Sequence, residues 1–316
     1  MVGEIHPEVE ATAGDIASME IRGAATIAEA AAAALRVQAE ESDADTPAAF
    51  DRELRRAGRH LLDTRPTAVS LPNSLRYVLT RLEGDTVAER RESVTAGVRE
   101  FCERLDTAQD DLGAIGANRL RDGDTLLTHC HSTDALSCVR VAREQGTQLD
   151  AIVKETRPRK QGHITARRLR EMGVPVTLIV DGAAGRYLDD ADHVIVGADS
   201  IAADGSVVNK IGTRSLAVTA RERDTPIVVA AQTIKLDPET LSGHTVEIET
   251  REEREVISEG EREAIGDIAV ENPAFDVTPP RYVDAIVTER GQFPPESIVT
   301  LMRELFGEQI RTPWEE

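Results

Sequence analysis

Through Asp122-Gly123-Asp124-Thr125-Leu126-Leu127-Thr128-His129-Cys130-His131-Ser132-Thr133 the chain changes its periodicity from helical to strand-like. Short apolar, β-rich runs follow one another from there: Thr125 to Thr128, Ala151 to Lys154, Val174 to Val180, Val194 to Val196, Ile227 to Ala230 and Val283 to Val287. Helical stretches separate them at Thr133 to Glu144, Gln161 to Met172, Ala183 to Asp190 and Ile211 to Arg223. Strands that are almost unbroken in apolar residues, alternating with helices, predict a mostly parallel sheet of about six strands covered on both faces. The fold class is therefore α/β, with a Rossmann-like doubly wound sheet. The acidic stretch Val246 to Glu263 lacks strong periodicity and reads as an exposed insertion or a frayed helix.

Residues 1–115 carry only helical signals. Arg22 to Ala39 is an Ala-rich amphipathic run. Thr46-Pro47 is a cap with Pro at the first helical position, opening a segment to about Leu62. Leu75 to Leu82 gives a short helix, and Asp85 caps a long charged one reaching towards Ala108. Short loops between these helices predict a bundle. Two domains are expected: a helical one over 1–115 and a Rossmann-like one over 116–316 that carries the catalytic residues.

Composition bounds the function. Against 37 Lys+Arg stand 57 Asp+Glu, a formal charge of −20, which repels phosphate backbones and anionic lipid and argues against nucleic-acid or membrane partners. No apolar run approaches the ~20 residues of a membrane span. The first residues, MVGEIHPEVE, lack the basic-then-apolar pattern of an export signal. Three cysteines make no disulfide framework and suit a reducing cytoplasm. Only Lys154, Lys160, Lys210 and Lys235 are lysines, so nearly all basic residues are Arg. An acidic, Ala-rich, Lys-poor chain reads as halophilic, since at 1 M salt the screening length falls to ~3 Å and self-repulsion vanishes. An ordinary acidic protein is the alternative.

In such sheets ligands sit beyond the carboxyl ends of the strands, where strand order reverses. No GxGxxG or GxxxxGK[ST] is present, which disfavours a standard dinucleotide or P-loop site. Cys130 stands where the first strand gives way to a helix. Helix-end N–H groups, with His129 and His131 beside it, favour a thiolate there; a buried structural cysteine is the alternative, and fits Cys102 and Cys138. Asp199 emerges from apolar Val194-Ile195-Val196-Gly197-Ala198. Desolvation can raise such a carboxyl into a general acid, or the residue is a turn aspartate, and Asp181 is its rival. Lys210, beside Asn209 at the start of a helix, and Lys235, ending the fifth strand, suit phosphate. Arg22-Gly23-Ala24-Ala25 is a ready anion site at a helix start, or a C-cap glycine; Arg65 is a ligand or a solvated arginine. His129 and His131 flanking Cys130 make no convincing metal site.

Thr128-His129-Cys130, Glu155-Thr156-Arg157-Pro158 with Gln161-Gly162, and Gly197-Ala198-Asp199 followed by Asn209-Lys210-Ile211-Gly212-Thr213 resemble one superfamily. It holds aldose-phosphate isomerases and the regulatory subunits of translation initiation factor 2B. Arg22-Gly23-Ala24 and Thr64-Arg65-Pro66-Thr67 extend the resemblance through most of the chain. Asn272-Pro273-Ala274-Phe275-Asp276-Val277-Thr278-Pro279-Pro280 is similar to the archaeal ribose 1,5-bisphosphate isomerases.

The resemblance implies an aldose–ketose isomerase with Cys130 as proton acceptor and Asp199 as proton donor. It implies substrate held by Arg22, Gly23, Ala24, Ala25, Arg65, Ser132, Thr133, Asp134, Asn209, Lys210 and Lys235. It also implies a homo-oligomer, dimer to hexamer, and activation by a nucleotide monophosphate. The family usually carries Asn after the cysteine, where this chain has His131. Methylthioribose-1-phosphate isomerase and a non-catalytic regulatory subunit are the competing expectations. No metal or nicotinamide cofactor is needed, because protons move within one substrate.

Overall fold

The computed structural model describes residues 5–65, 67–307, 310 and 312–315. The chain forms two compact units: residues 1–108 with 234–236 and 305–316, and residues 109–233 with 237–304. The first boundary falls inside one long helix.

The first unit holds α1 (Pro7–Ala17), α2 (Ala24–Glu40), α3 (Pro47–Leu62), α4 (Ser70–Leu79) and the first part of α5 (Val87–Ala117). Thr46 caps α3 as its sequence requires, its side chain accepting from Ala49 N at 3.3 Å. Ala28, Ala31, Ala32 and Leu35 are wholly buried along α2, and their small side chains let α1 and α4 pack closely against it. Phe50, Leu54, Leu61, Leu71 and Leu75 complete that core. Each such side chain contributes about 1.5–3 kcal/mol of burial. Helix α4 begins five residues ahead of its sequence signal, and α5 outruns the expected end at Ala108 to reach Ala117.

The second unit continues with β1 (Asp124–Thr128), α6 (Thr133–Glu144), β2 (Leu149–Lys154), α7 (Gly162–Glu171), β3 (Val176–Ile179), α8 (Ala184–Tyr187) and β4 (His193–Val196). Then come β5 (Ser200–Ala202), β6 (Val207–Lys210), α9 (Thr213–Glu222), β7 (Ile227–Ala230) and the two-residue β8 (Leu236–Asp237), at the sequence boundary between units. After α10 (Glu259–Ile265) follow β9 (Phe275–Thr278), β10 (Ala285–Thr288), β11 (Gly291–Phe293) and α11 (Ile298–Phe306).

The large sheet runs β11-β10-β7-β4-β1-β2-β3, its first six strands by sequence reading all parallel and β11 added antiparallel as a hairpin partner of β10. The expected α/β class and doubly wound sheet are thus present. Strands β5, β6 and β9 pair antiparallel in a smaller sheet that periodicity alone did not reveal. Lys210 accordingly ends a strand instead of starting a helix; Gly212, at φ 100°, makes the turn and α9 starts at Thr213. The expected helix from Ala183 to Asp190 breaks into short 3₁₀ turns around α8.

Candidate active site

Strand order reverses at β1, which pairs with β2 on one side and with β4 on the other. Two peptides splayed apart at such a point leave a crevice. Cys130 follows β1 and Asp199 follows β4, so both stand at that crevice.

Cys130 adopts φ 71°, the left-handed region. Its N–H donates to Thr156 Oγ1 at 2.9 Å, and its carbonyl accepts from Thr165 Oγ1 at 2.8 Å. The thiol donates to Gln161 Oε1 at 3.5 Å. Burial pushes that thiol up to about 11. The His131 backbone N–H pulls it down, the Asp199 carboxylate pushes it up, and Lys210 and Arg251 pull it down. The thiolate expected from the helix start is therefore not the resting form at neutral pH, because desolvation outweighs the N–H groups. Cys138 fits its structural reading: buried, pushed up to about 12, with Gly116 against its sulfur.

The two histidines do not supply the expected positive charge. His129, 2% exposed, is pushed down to about 4 by burial and by neighbouring Lys154. Its Nε2 donates to Ile211 O at 2.9 Å, which leaves Nδ1 as an acceptor facing Thr156 Oγ1 at 3.3 Å. Burial and Arg168 likewise lower His131. His131 turns its ring away to α7, with Nδ1 3.0 Å from Thr165 Oγ1. The cations acting on the thiol are Lys210 and Arg251 instead.

Asp199 departs from its expectation in one respect: it is exposed, so the apolar run before it does not bury it. Its N–H donates to Val208 O at 2.9 Å, tying β4 to the smaller sheet. The rival, Asp181, is occupied structurally, accepting from Thr156 N at 2.9 Å and Arg157 N at 2.7 Å.

Lys210 is 7% exposed; its Nζ donates to Ala274 O at 3.0 Å and lies 4.5 Å from the Phe275 ring centre. Burial and Arg251 lower it, while Asp199, Cys130 and Glu249 hold it up. Asn209 Nδ2 donates to Thr213 Oγ1 at 3.0 Å, bracing the start of α9. Ser132 caps α6 through Ala135 N at 3.2 Å and touches the backbone of Gly197, where a Cβ would fall 2.3 Å from its hydroxyl. Thr133 is exposed, but Asp134 faces inward, 1% exposed, accepting from Gln232 Nε2 at 2.8 Å.

The helical unit holds the other expected substrate contacts. Arg22 and Gly23 are exposed, and Gly23, at φ 97°, is the N-cap of α2, with Ala24 and Ala25 in its first turn. The C-cap alternative is thereby set aside, since α1 ends earlier, at Ala17. Arg65 is half-buried; Pro66 of its motif lies outside the described residues. Lys235 does not end a strand: β7 stops at Ala230, and Lys235 sits in a 3₁₀ turn grouped with the helices. Asn73 Nδ2 holds that turn through Ile234 O at 2.9 Å and Leu236 O at 2.8 Å.

Several residues at the crevice escaped sequence reading. The acidic stretch Val246 to Glu263 is largely exposed, as expected, yet anchored: Arg159 grips Glu255 with two hydrogen bonds, 2.9 and 2.5 Å, and Thr250 pairs with Pro273. It delivers Arg251, held by Glu249 at 3.0 Å, to a pocket of about 230 Å³ shared with Lys210, Gln161 and Asn272. Below lies Lys154, 2% exposed, bonded to Gly212 O at 3.3 Å and lowered by burial against the pull of Asp181 and Asp276. Asp276 in turn accepts from Gly212 N at 2.7 Å and Arg214 N at 3.0 Å, capping α9. A cation surviving among so many acids was the signal available for Arg251. Among the described residues no cluster of three or more His, Cys, Asp or Glu is placed to hold a metal, and no helix is long and apolar enough to cross a membrane.

These features define an α/β protein on a Rossmann-like sheet, with a thiol and a carboxyl paired across its switch point. The model of the initiation factor 2 subunit family matches residues 20–295. A ribose 1,5-bisphosphate isomerase from Haloterrigena turkmenica is 68% identical, over 99% of this chain and 98% of that one. Among solved structures, the translation initiation factor eIF-2B of Pyrococcus horikoshii OT3 is 31% identical, with a TM-score of 0.78 over 93% of this chain and 99% of that one. The 5-methylthioribose 1-phosphate isomerase of the same organism is 35% identical, with a TM-score of 0.77 over 95% and 88%. The chain belongs to the initiation factor 2 subunit family.

Proposed function

We propose that this protein is an aldose–ketose isomerase that converts ribose 1,5-bisphosphate to ribulose 1,5-bisphosphate. The observation that carries this reading is the near-full-length similarity to the isomerase of that name, 68% identical.

The chemistry follows from the two groups at the switch point. A pentose whose anomeric oxygen bears phosphate cannot open spontaneously to a free aldehyde. Asp199, protonated, gives its proton to the ring oxygen while the Cys130 thiolate removes the proton from C2. The C1–ring-oxygen bond breaks and a C1=C2 enol phosphate forms. The enol O–H proton then passes to Asp199 as Cys130 returns its proton to C1, giving the 2-ketose and restoring both groups. Because the Asp199 charge raises the thiol, a protonated Asp199 removes that penalty and makes the thiolate easier to form. Lys210 and Arg251 stabilise the sulfur anion when it forms, and Lys210 is held by Asp199 as well as by Cys130.

Lys210, Asn209, Ser132 and Thr133 are the contacts we assign to substrate on the sheet unit, and the family resemblance alone adds Arg22, Gly23, Ala24, Ala25, Arg65 and Lys235. Asp134 serves instead by fixing α6 to Gln232. The reading extends to a cytoplasmic, salt-adapted homo-oligomer in nucleotide and pentose-bisphosphate breakdown, with a nucleotide monophosphate as activator. Its support is the charge of −20, the four lysines and the family resemblance.

A second reading, methylthioribose-1-phosphate isomerisation, is favoured by the 35% identity to that solved enzyme. Parallel incubation with ribose 1,5-bisphosphate and methylthioribose 1-phosphate at high salt, with product NMR, separates the two. Conversion of the bisphosphate is expected; conversion of the methylthio sugar alone, or of neither, overturns the proposal.

A further inference from the structure

Cys130 and Thr156 both hold positive φ, 71° and 64°, although neither is glycine. A β-branched residue at such an angle is a genuine outlier that persists only where its surroundings over-determine it. Two carboxylate hydrogen bonds do this for Thr156, since Asp181 accepts from its N–H and from that of Arg157. The locked threonine then presents its hydroxyl oxygen to the Cys130 N–H at 2.9 Å. Its own proton lies within reach of Lys154 O at 3.1 Å and of the lone pair on His129 Nδ1.

On the other side of the cysteine, Thr165 in α7 donates its hydroxyl proton to Cys130 O at 2.8 Å. That hydroxyl can then only accept from His131, so His131 Nδ1 carries the proton and the chain His131–Thr165–Cys130 has one direction. Thr156 is 1% exposed and Thr165 2%, so water cannot replace either bond.

Resting on the reading of Cys130 as the proton-transfer group, we infer that Thr156 and Thr165 are positioning residues for it. Their buried hydroxyls grip its N–H and its C=O and hold the left-handed turn that faces the thiol to the crevice. The same turn aims the His131 N–H at the sulfur, a contact that lowers the thiol. His131, standing where the family usually has Asn, orients the Thr165 hydroxyl.

Thr156→Val and Thr165→Val remove the hydroxyls and keep the shape; Thr156→Ser and Thr165→Ser keep the hydroxyls. The Val chains are expected to lose between about 10- and 100-fold in kcat, with KM little changed, as for a reacting group displaced by ~1 Å. Alkylation of Cys130 against pH, followed by peptide mass spectrometry so that Cys102 and Cys138 are counted apart, is expected to move to higher pH in the Val chains. It returns towards the parent in the Ser chains. Val chains that alkylate and turn over like the parent, or Ser chains as impaired as Val, overturn the inference. If a Val chain does not fold, Ala at the same position makes the comparison with Ser. Because alkylation needs no turnover, its result stands apart from the assigned activity, which fails separately if Cys130→Ser remains active.

Discussion

The carboxylate of Asp199 acts on the thiol of Cys130, raising it, although 69 positions separate the two residues in the chain (199 − 130). Adjacent parallel strands bring them to one crevice. Replacing Asp199 with Asn removes the charge and keeps the shape. Because the charge raises the thiol, its loss lowers it, so Cys130 alkylation in Asp199→Asn is expected to begin at lower pH than in the parent. An unchanged or higher midpoint in the alkylation profile contradicts the pairing.

Turnover requires both groups. Cys130→Ser and Asp199→Asn are each expected to lose about 10²–10⁴ in kcat, the usual contribution of one proton-transferring group. Thermal unfolding midpoints should stay near the parent value, since Ser and Asn nearly match the shapes of the side chains they replace. Near-parental turnover by Cys130→Ser would falsify the mechanism.

The acidic segment is tied by Arg251 N–H to Asn272 O at 2.9 Å, by Ala274 N–H to Glu249 O at 2.8 Å, and by the pair of Arg159 and Glu255, whose side chains are 38% and 18% exposed. A pair so open to solvent contributes only about 0.2–1 kcal/mol. Arg159→Gln is therefore expected to change stability little, yet to loosen the segment that delivers Arg251. Since Arg251 lowers the Cys130 thiol, the alkylation profile should shift to higher pH. A profile identical to the parent, measured at matched salt, means the segment keeps its place without the ion pair.

His129 gives stability a defined pH dependence. Its folded value, about 4, lies below the ordinary histidine value of 6.5, because burial and then Lys154 penalise the charged ring. The unfolded chain thus binds more protons between those values, so stability is full above pH 6.5 and falls as pH drops towards 4. Between pH 7 and pH 5 this group alone removes about 2 kcal/mol. Urea unfolding at the two pH values should show a smaller drop for His129→Gln than for the parent; equal drops would remove His129 as the cause.

Gly162 opens α7 where the chain leaves the loop that carries Gln161. A Cβ there would fall 1.8 Å from the Lys154 carbonyl oxygen, a backbone atom with no freedom to retreat. Gly162→Ala is expected to cost about 1–3 kcal/mol or more, and to displace Gln161 from the thiol. Calorimetry that shows a parental midpoint for this variant rules out the close approach.

Residue patterning alone specified the large parallel sheet and the helical unit, though not the smaller sheet of β5, β6 and β9, because it records which faces must be buried. Apolar runs of four to six residues between helical segments could only become a parallel sheet, and Ala at every buried turn of α2 could only become a tight helix packing. Cys130 and Asp199 were legible too, as residues closely following apolar runs, and Lys210 with Asn209 as one of only four lysines set at an expected helix start. Charge states were not legible. Whether Cys130 rests as thiol or thiolate depends on the balance between its burial and the charges of Asp199, Lys210 and Arg251, which sit 69, 80 and 121 positions away. Arg251 was hidden in a stretch whose acids spoke for exposure, and contacts with the distant Arg159, Asn272 and Ala274 hold that stretch in place. Local sequence determines periodicity, because each residue's face is set by its neighbours. Electrostatics is set by distance through space, and the folded chain alone fixes that.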